Sequence, residues 1–310
     1  MYIFLFSLLE SLKHSTRNRY KLIRCLNHIK YLFLVYVQNF LVKRVSIQEL
    51  EYCHSNNEYK IIASLTSFPI RINECALSLK TLFMQTIPPD RIILWLADSQ
   101  FPNHNLPAAF DELITNGLEV RYVDDLRSHK KYFYMLQEQQ PDELVITFDD
   151  DIIYHPKTIE RAFQKHLEFP DAIVCNEVKY ITFSNDGKKL KSYNDWGHPG
   201  DGYKAPNIRY SVMSGSGTLY PYGIFPKEVF DWETIKRLAY SADDLWITFM
   251  AKHYNIPVVG TDIAARVYTT ISNSQSFRLG QENCIGTRND DTVRNILTEY
   301  PSIIEKMVKV

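Results

Sequence analysis

The chain has 310 residues, 45% hydrophobic and 23% charged, a composition that suits one sizeable folded domain with extensions. Its net charge of −1 conceals an asymmetry: residues 1–44 hold eight Lys or Arg against the single acid Glu10, and the remainder carries a net −8. An acidic body argues against nucleic acid as a partner, and five scattered cysteines (25, 53, 75, 175 and 284) without a C-x-x-C pair exclude a zinc ribbon or disulfide framework and fit a reducing, cytoplasmic setting.

In chain order, the first feature is a basic, apolar head over residues 1–55. Residues 2–9 (YIFLFSLL) lack the charged start and small-residue cleavage site of a secretion signal. Residues 31–42 (YLFLVYVQNFLV) fall short of the ~20 apolar residues that span a bilayer. With the polar, basic stretch HSTRNRYKLIR between them, the head reads as a helical extension whose first 44 residues make peripheral contact with an anionic membrane, on the inner face of the cell membrane. The competing reading is a helix that packs on the body or on a second subunit.

From about residue 56 strands and helices alternate. Apolar runs bounded by turn signals predict strands over 59–64, 91–97, 118–123, 144–148, 172–175 and 256–259. Helical spacing predicts helices over 71–85, 107–116, 131–139 and 155–168, one opening at 241, and a final pair over 290–297 and 302–308. The expected fold class is therefore α/β, with a Rossmann-like, mostly parallel central sheet flanked by helices and ligands at the carboxyl ends of its strands. Residues 56–270 form the expected catalytic domain, with a nucleotide half to about 155 and an acceptor half from 156, and residues 271–310 a helical tail. The irregular stretch 191–210 reads as a substrate-facing lobe, and Gly215 and Gly217 mark a close backbone approach.

The chemistry concentrates at the end of the fourth strand, where Leu144–Phe148 runs into Asp149, Asp150 and Asp151. On an extended segment alternate side chains share a side, which predicts Asp149 and Asp151 together and Asp150 opposite. Two like charges held close are costly unless a cation lies between them, and Asp-x-Asp with few other ligands suits Mg²⁺ or Mn²⁺ carrying substrate phosphates. The plainer reading of the triplet is a solvated turn that caps a helix. Asp243 and Asp244, in the first turn of a later helix, fit dipole capping as well as acid–base chemistry. No P-loop, G-x-G-x-x-G or G-x-S-x-G pattern occurs, and the histidines, among them His129, His155 and His198, are dispersed.

The segments SLTSFPIR, IILWLADSQFP, VITFDDDIIYHP, SGSGTLYP and ADDLW, followed by Asn289-Asp290, together resemble the GT-A-fold glycosyltransferases, in particular family-2-like bacterial enzymes of capsule and lipopolysaccharide synthesis. The resemblance spans about residues 58–295. It implies Thr66 beside the nucleotide base, Asp98 bonded to the base, and Lys130 and Lys131 steadying the nucleotide. It implies Asp149 and Asp150 at the nucleotide, and Asp149 and Asp151 on the metal. Asp244, or Asp243 where relatives have Glu, would be the base. Trp196, Tyr220 and Trp246 are the expected acceptor platforms. No C-terminal His stands ready as a further metal ligand. The implied activity is inverting, metal-dependent transfer of a sugar, with a UDP-sugar the expected donor, to a glycan or lipid-linked hydroxyl. Two other readings stand beside it: a Mg²⁺-dependent phosphatase or phosphotransferase of the haloacid-dehalogenase type, and a non-catalytic glycan-binding module.

Overall fold

The computed structural model describes residues 21–49, 59–187, 189–197, 205–261, 269–271 and 288–308. The head segment 2–9, residues 14–20 of the basic stretch, His198 and residues 199–204 of the lobe lie outside the described residues. The helices are α1 (Lys21–Arg44), α2 (Ile72–Phe83), α3 (Ala109–Thr115), α4 (Lys130–Glu138), α5 (Thr158–Glu168), α6 (Trp232–Ala239), α7 (Asp243–His253), α8 (Arg288–Glu299) and α9 (Ser302–Val308). The strands are β1 (Lys60–Thr66), β2 (Arg91–Ala97), β3 (Leu118–Val123), β4 (Glu143–Phe148), β5 (Ile152–Ile153), β6 (Ile173–Cys175), β7 (Val178–Tyr180), β8 (Tyr210–Val212), β9 (Ser216–Tyr220), β10 (Val258–Gly260) and β11 (Thr269–Thr270).

Seven strands form the central sheet in the order β10-β6-β9-β4-β1-β2-β3. All run parallel except β9, which lies antiparallel between β4 and β6. The mostly parallel α/β sheet expected from the sequence is therefore present. Apart from the partly exposed edge strand β3, its near-continuous apolar strands are buried on both faces, as a sheet covered on two sides requires. Ile61, Ala63 and Leu65 face the core shared with α2, α3 and α5. The alternate residue Ile62 packs with Ile93, Trp95 and Val145 beside Met135 of α4.

Two features place the site. Strand order reverses between β1 and β4, and the crevice at such a reversal, beyond the carboxyl ends, is where ligands of open α/β sheets bind. Because β9 runs the opposite way, the residues just before it reach the same edge as the end of β4. The pairing of β4 with β9 shifts register between Thr147 and Phe148, so Gly217, at φ +86°, is the extra residue of a β-bulge. A Cβ there would press on Thr158, Asn176 and Phe148.

In the described part of the head, residues 21–44 form one continuous helix that includes the apolar run 31–42. Val35 and Val42 of α1 pack with Leu77, Ile153 and Ile271. Its exit is pinned by the Lys80 ammonium on the Val45 carbonyl at 2.9 Å and by the Ile47 N–H on Glu112 at 2.8 Å. Among the described residues no helix is long and apolar enough to cross a membrane.

Candidate active site

A cavity of about 540 Å³ opens at the carboxyl edge between β1 and β4. The end of β1, the aspartate triplet, the start of α4 and the start of α7 all line it. The alternation expected for the triplet does not hold. Strand β4 ends at Phe148, so the three acids lie on a turn, and Asp150 and Asp151 share one guanidinium. Arg71 reaches Asp150 at 2.6 Å and Asp151 at 3.1 Å, and the Ser67 hydroxyl donates to Asp150 at 2.6 Å. Burial pushes the Asp150 carboxyl up from its ordinary range, against the opposing pull of Arg71 and Ser67. Asp150 thus lines the cavity as a largely buried strut of the turn, its carboxylate taken up by Arg71 and Ser67. Asp149 and Asp151 keep 42% and 16% of their side chains exposed and are the acids a ligand can reach.

The backbone of Asp149 is clamped. Its N–H donates to the Tyr154 hydroxyl, which donates to the Gly215 carbonyl, each at 2.6 Å, and the Ser78 hydroxyl donates to its carbonyl at 2.8 Å. Gly215 is required here because a Cβ would collide with the Asp149 carboxylate itself. The close approach expected at this glycine is therefore to a site residue.

Lys131 joins the two acidic groups. Its ammonium lies 2.7 Å from Asp149 and 2.8 Å from Asp243 with 3% of its side chain exposed. Burial alone would lower its pKa, yet the charges of Asp149, Asp243 and Asp244 hold it well above the ordinary value. Lys131 also depresses Asp243 against the cost of burial. Asp244 is pushed the other way, by burial and by the charge of Asp243. The Ser214 hydroxyl lies 2.7 Å from Asp243 and 2.6 Å from Asp244, and the Ser214 N–H donates to Asp244 at 2.7 Å. One hydroxyl proton facing two carboxylates is best satisfied when one of them, Asp244, carries a proton of its own.

The other expected residues separate into two groups. Thr66, donating to the Trp95 carbonyl at 2.7 Å, and Lys130 both line the cavity, and the Lys130 ammonium is paired with Asp125 at 2.8 Å. Asp98 begins the short 3₁₀ turn after β2 and does not line the cavity. Its carboxylate meets the exposed His104 ring at 2.7 Å, and that ring stacks on Tyr122. The acceptor platforms are not at the cavity either. Trp196, Tyr220 and Trp246 are buried in an apolar core with Tyr210 and Val212 of β8 and Leu245 and Phe249 of α7, and the two indoles donate to the carbonyls of Lys191 and Val229. Being apolar and large, they fill the packing between β9, α7 and the lobe. Tyr193 and Lys179 line the cavity in their place, the ammonium 3.7 Å from the ring centroid.

Four functional positions escaped the sequence reading: Ser67, Arg71, Asp125 and Ser214. Arg71 and Ser67 lie in the quoted segment SLTSFPIR, but their partner is 79 or more residues away, and no local spacing announces the contact. His129 is buried and neutral, its pKa lowered by burial to about 4, with one ring nitrogen donating to the Ala239 carbonyl and the other accepting from Tyr132.

No protein-family model and no curated protein matches the chain. Among solved structures it is similar to the mannosyltransferase PcManGT from Pyrobaculum calidifontis, in complex with GDP-Man and Mn²⁺, at 11% identity over 98% of this chain and 80% of that one, TM-score 0.47. It is also similar to residues 1–349 of TarS from S. aureus, at 13% identity over 80% and 70%, TM-score 0.44. A third is 4-diphosphocytidyl-2C-methyl-D-erythritol synthase from Anaerococcus prevotii, at 16% identity over 71% and 95%, TM-score 0.41. The functional reading rests on the site itself.

Proposed function

We propose that the protein is an inverting glycosyltransferase that moves a sugar from a nucleotide-diphosphate donor, a UDP-sugar in the first instance, to a hydroxyl of a glycan or lipid-linked acceptor. One observation carries the reading: a single cavity sets Asp149 and Asp151 facing the Asp243–Asp244 pair, with Lys131 between them.

The residues fit a divalent ion that arrives with its substrate. Among the described residues no group of three or more His, Cys, Asp or Glu side chains is placed to hold a metal. Asp149 and Asp151 would supply two oxygens and leave the rest of the shell to water and the diphosphate, as Mg²⁺ and Mn²⁺ accept. The lining itself has six carboxylates, Asp125, Asp149, Asp150, Asp151, Asp243 and Asp244, against five Lys or Arg. With Asp244 protonated these charges balance, and the cations Lys131 and Arg71 are already paired with Asp149 and Asp151, so a diphosphate entering without a counter-ion finds no net attraction. When bound, Mn²⁺ or Mg²⁺ would neutralise the charge that grows on the leaving phosphate.

Within this chain, Thr66 and Lys130 border the nucleotide and Lys131 adds a fixed positive charge beside the diphosphate. Asp244 takes the proton from the acceptor hydroxyl as that oxygen attacks the anomeric carbon and the bond to the diphosphate breaks. One displacement with one base inverts the anomeric centre. Asp243, ion-paired with Lys131, holds its charge and keeps Asp244 basic enough for the task. Arg71 and Gly215 position the carboxylates.

The test is incubation with UDP-, GDP- and CMP-sugars and Mn²⁺. Slow release of UDP or GDP from its sugar donor is expected, with no CMP released from the CMP-sugars, and it should disappear in Asp151→Ala. Phosphate release from phosphomonoesters alone would point to the phosphatase reading, and inertness toward every donor to a binding module.

A further inference from the structure

We propose that α1 is a docking surface for an anionic lipid bilayer, through the exposed row Ile29, Leu32, Phe33, Tyr36 and Phe40. These residues are 57%, 53%, 64%, 64% and 43% exposed. At 3.6 residues per turn they fall within about 100° of the helix circumference, one unbroken stripe. The side turned to the body holds Val35 and Val42, but also Gln38 and Asn39, which are buried. The two polar residues that interrupt the apolar run in sequence thus face the protein, and the aromatic and aliphatic residues face outward. A helix of a water-soluble surface does the reverse. An outward face this apolar calls for an apolar partner.

Charge selects the partner. The 24 residues of α1 include Lys21, Arg24, Lys30, Lys43 and Arg44 and no acid, while the chain beyond residue 44 is net −8. The Arg44 guanidinium lies 4.4 Å over the Phe40 ring, a cation beside the apolar stripe. Apolar and aromatic residues flanked by Lys and Arg match the boundary between acyl chains and anionic headgroups. A second copy of this chain would bring the same positive charge against itself. The anchoring is rigid, because Val35 and Val42 pack on Leu77 of α2 and on Ile153, two residues beyond Asp151. Docking would therefore hold the site beside the bilayer, where a lipid-linked acceptor resides; this last step alone rests on the glycosyltransferase reading.

The experiment is sedimentation of the full-length protein with phosphatidylcholine vesicles, with and without about 30% phosphatidylglycerol. Binding should rise at least about tenfold with the anionic lipid and fall with added salt. The double variant Phe33→Asp/Tyr36→Asp should lose vesicle binding while keeping its unfolding midpoint and its donor hydrolysis, since both side chains are exposed. A variant that still sediments like the parent overturns the proposal. So does a wild-type dimer in solution that the double variant turns into monomer without any vesicle binding by either. A wild-type protein that binds anionic vesicles yet hydrolyses no donor would sink the proposed activity and leave the docking surface standing.

Discussion

Asp243 and Asp244 are neighbours in sequence with opposite ionisation. Lys131 depresses the first against its burial, and burial with the charge of the first raises the second to about 7. A base must be deprotonated to act, so kcat/KM should rise with pH through neutrality and level off above it. In Asp243→Asn the like charge is gone and ionisation of Asp244 becomes easier, which should move the acid limb of the profile to lower pH. Asp244→Asn should cost about 10²- to 10⁴-fold in kcat, the range for a lost general base. Retained activity in Asp244→Asn together with loss in Asp243→Asn would reassign the role. The sequence shows the two acids at a helix start, and nothing in their spacing separates them. The separation comes from Lys131, 112 or more positions earlier, and from the Ser214 hydroxyl.

At the scale of elements, the triplet turn is held by a residue from the start of the next layer. Arg71 closes the 3₁₀ turn before α2 and pairs with Asp150 in a largely buried setting. Arg71→Met should destabilise the fold by about 3–5 kcal/mol in denaturant unfolding, because it leaves a buried carboxylate without its partner. Gly215→Ala should instead abolish donor turnover by forcing the Asp149 carboxylate out of place. Strands β2 and β3 have the bounds their apolar runs predict, since turn signals flank both. Strand β9 was legible only as a pair of glycines. Five residues with a bulge carry too little period to declare a strand, and its antiparallel direction depends on which neighbours it joins. The orientation of the triplet departs from the strand alternation because β4 ends at Phe148 and all three acids lie beyond it.

For the whole molecule, one cavity gathers the end of β1, the aspartate triplet and the starts of α4 and α7. Lys131 on Asp149 and Arg71 on Asp151 already occupy the two proposed metal ligands, so the site should hold Mn²⁺ weakly alone and more tightly together with a diphosphate. Removing metal with EDTA should stop donor hydrolysis, and adding Mn²⁺ should restore it. The most direct measurement is a calorimetric titration of UDP, and in parallel GDP, into the protein with Mn²⁺ and with EDTA, and of Mn²⁺ with and without the nucleotide. Binding is linked reciprocally, so each partner should tighten the other by the same factor, at least about tenfold, and Asp151→Ala should erase the gain. Nucleoside diphosphate affinity that is the same with EDTA as with Mn²⁺ would contradict the account.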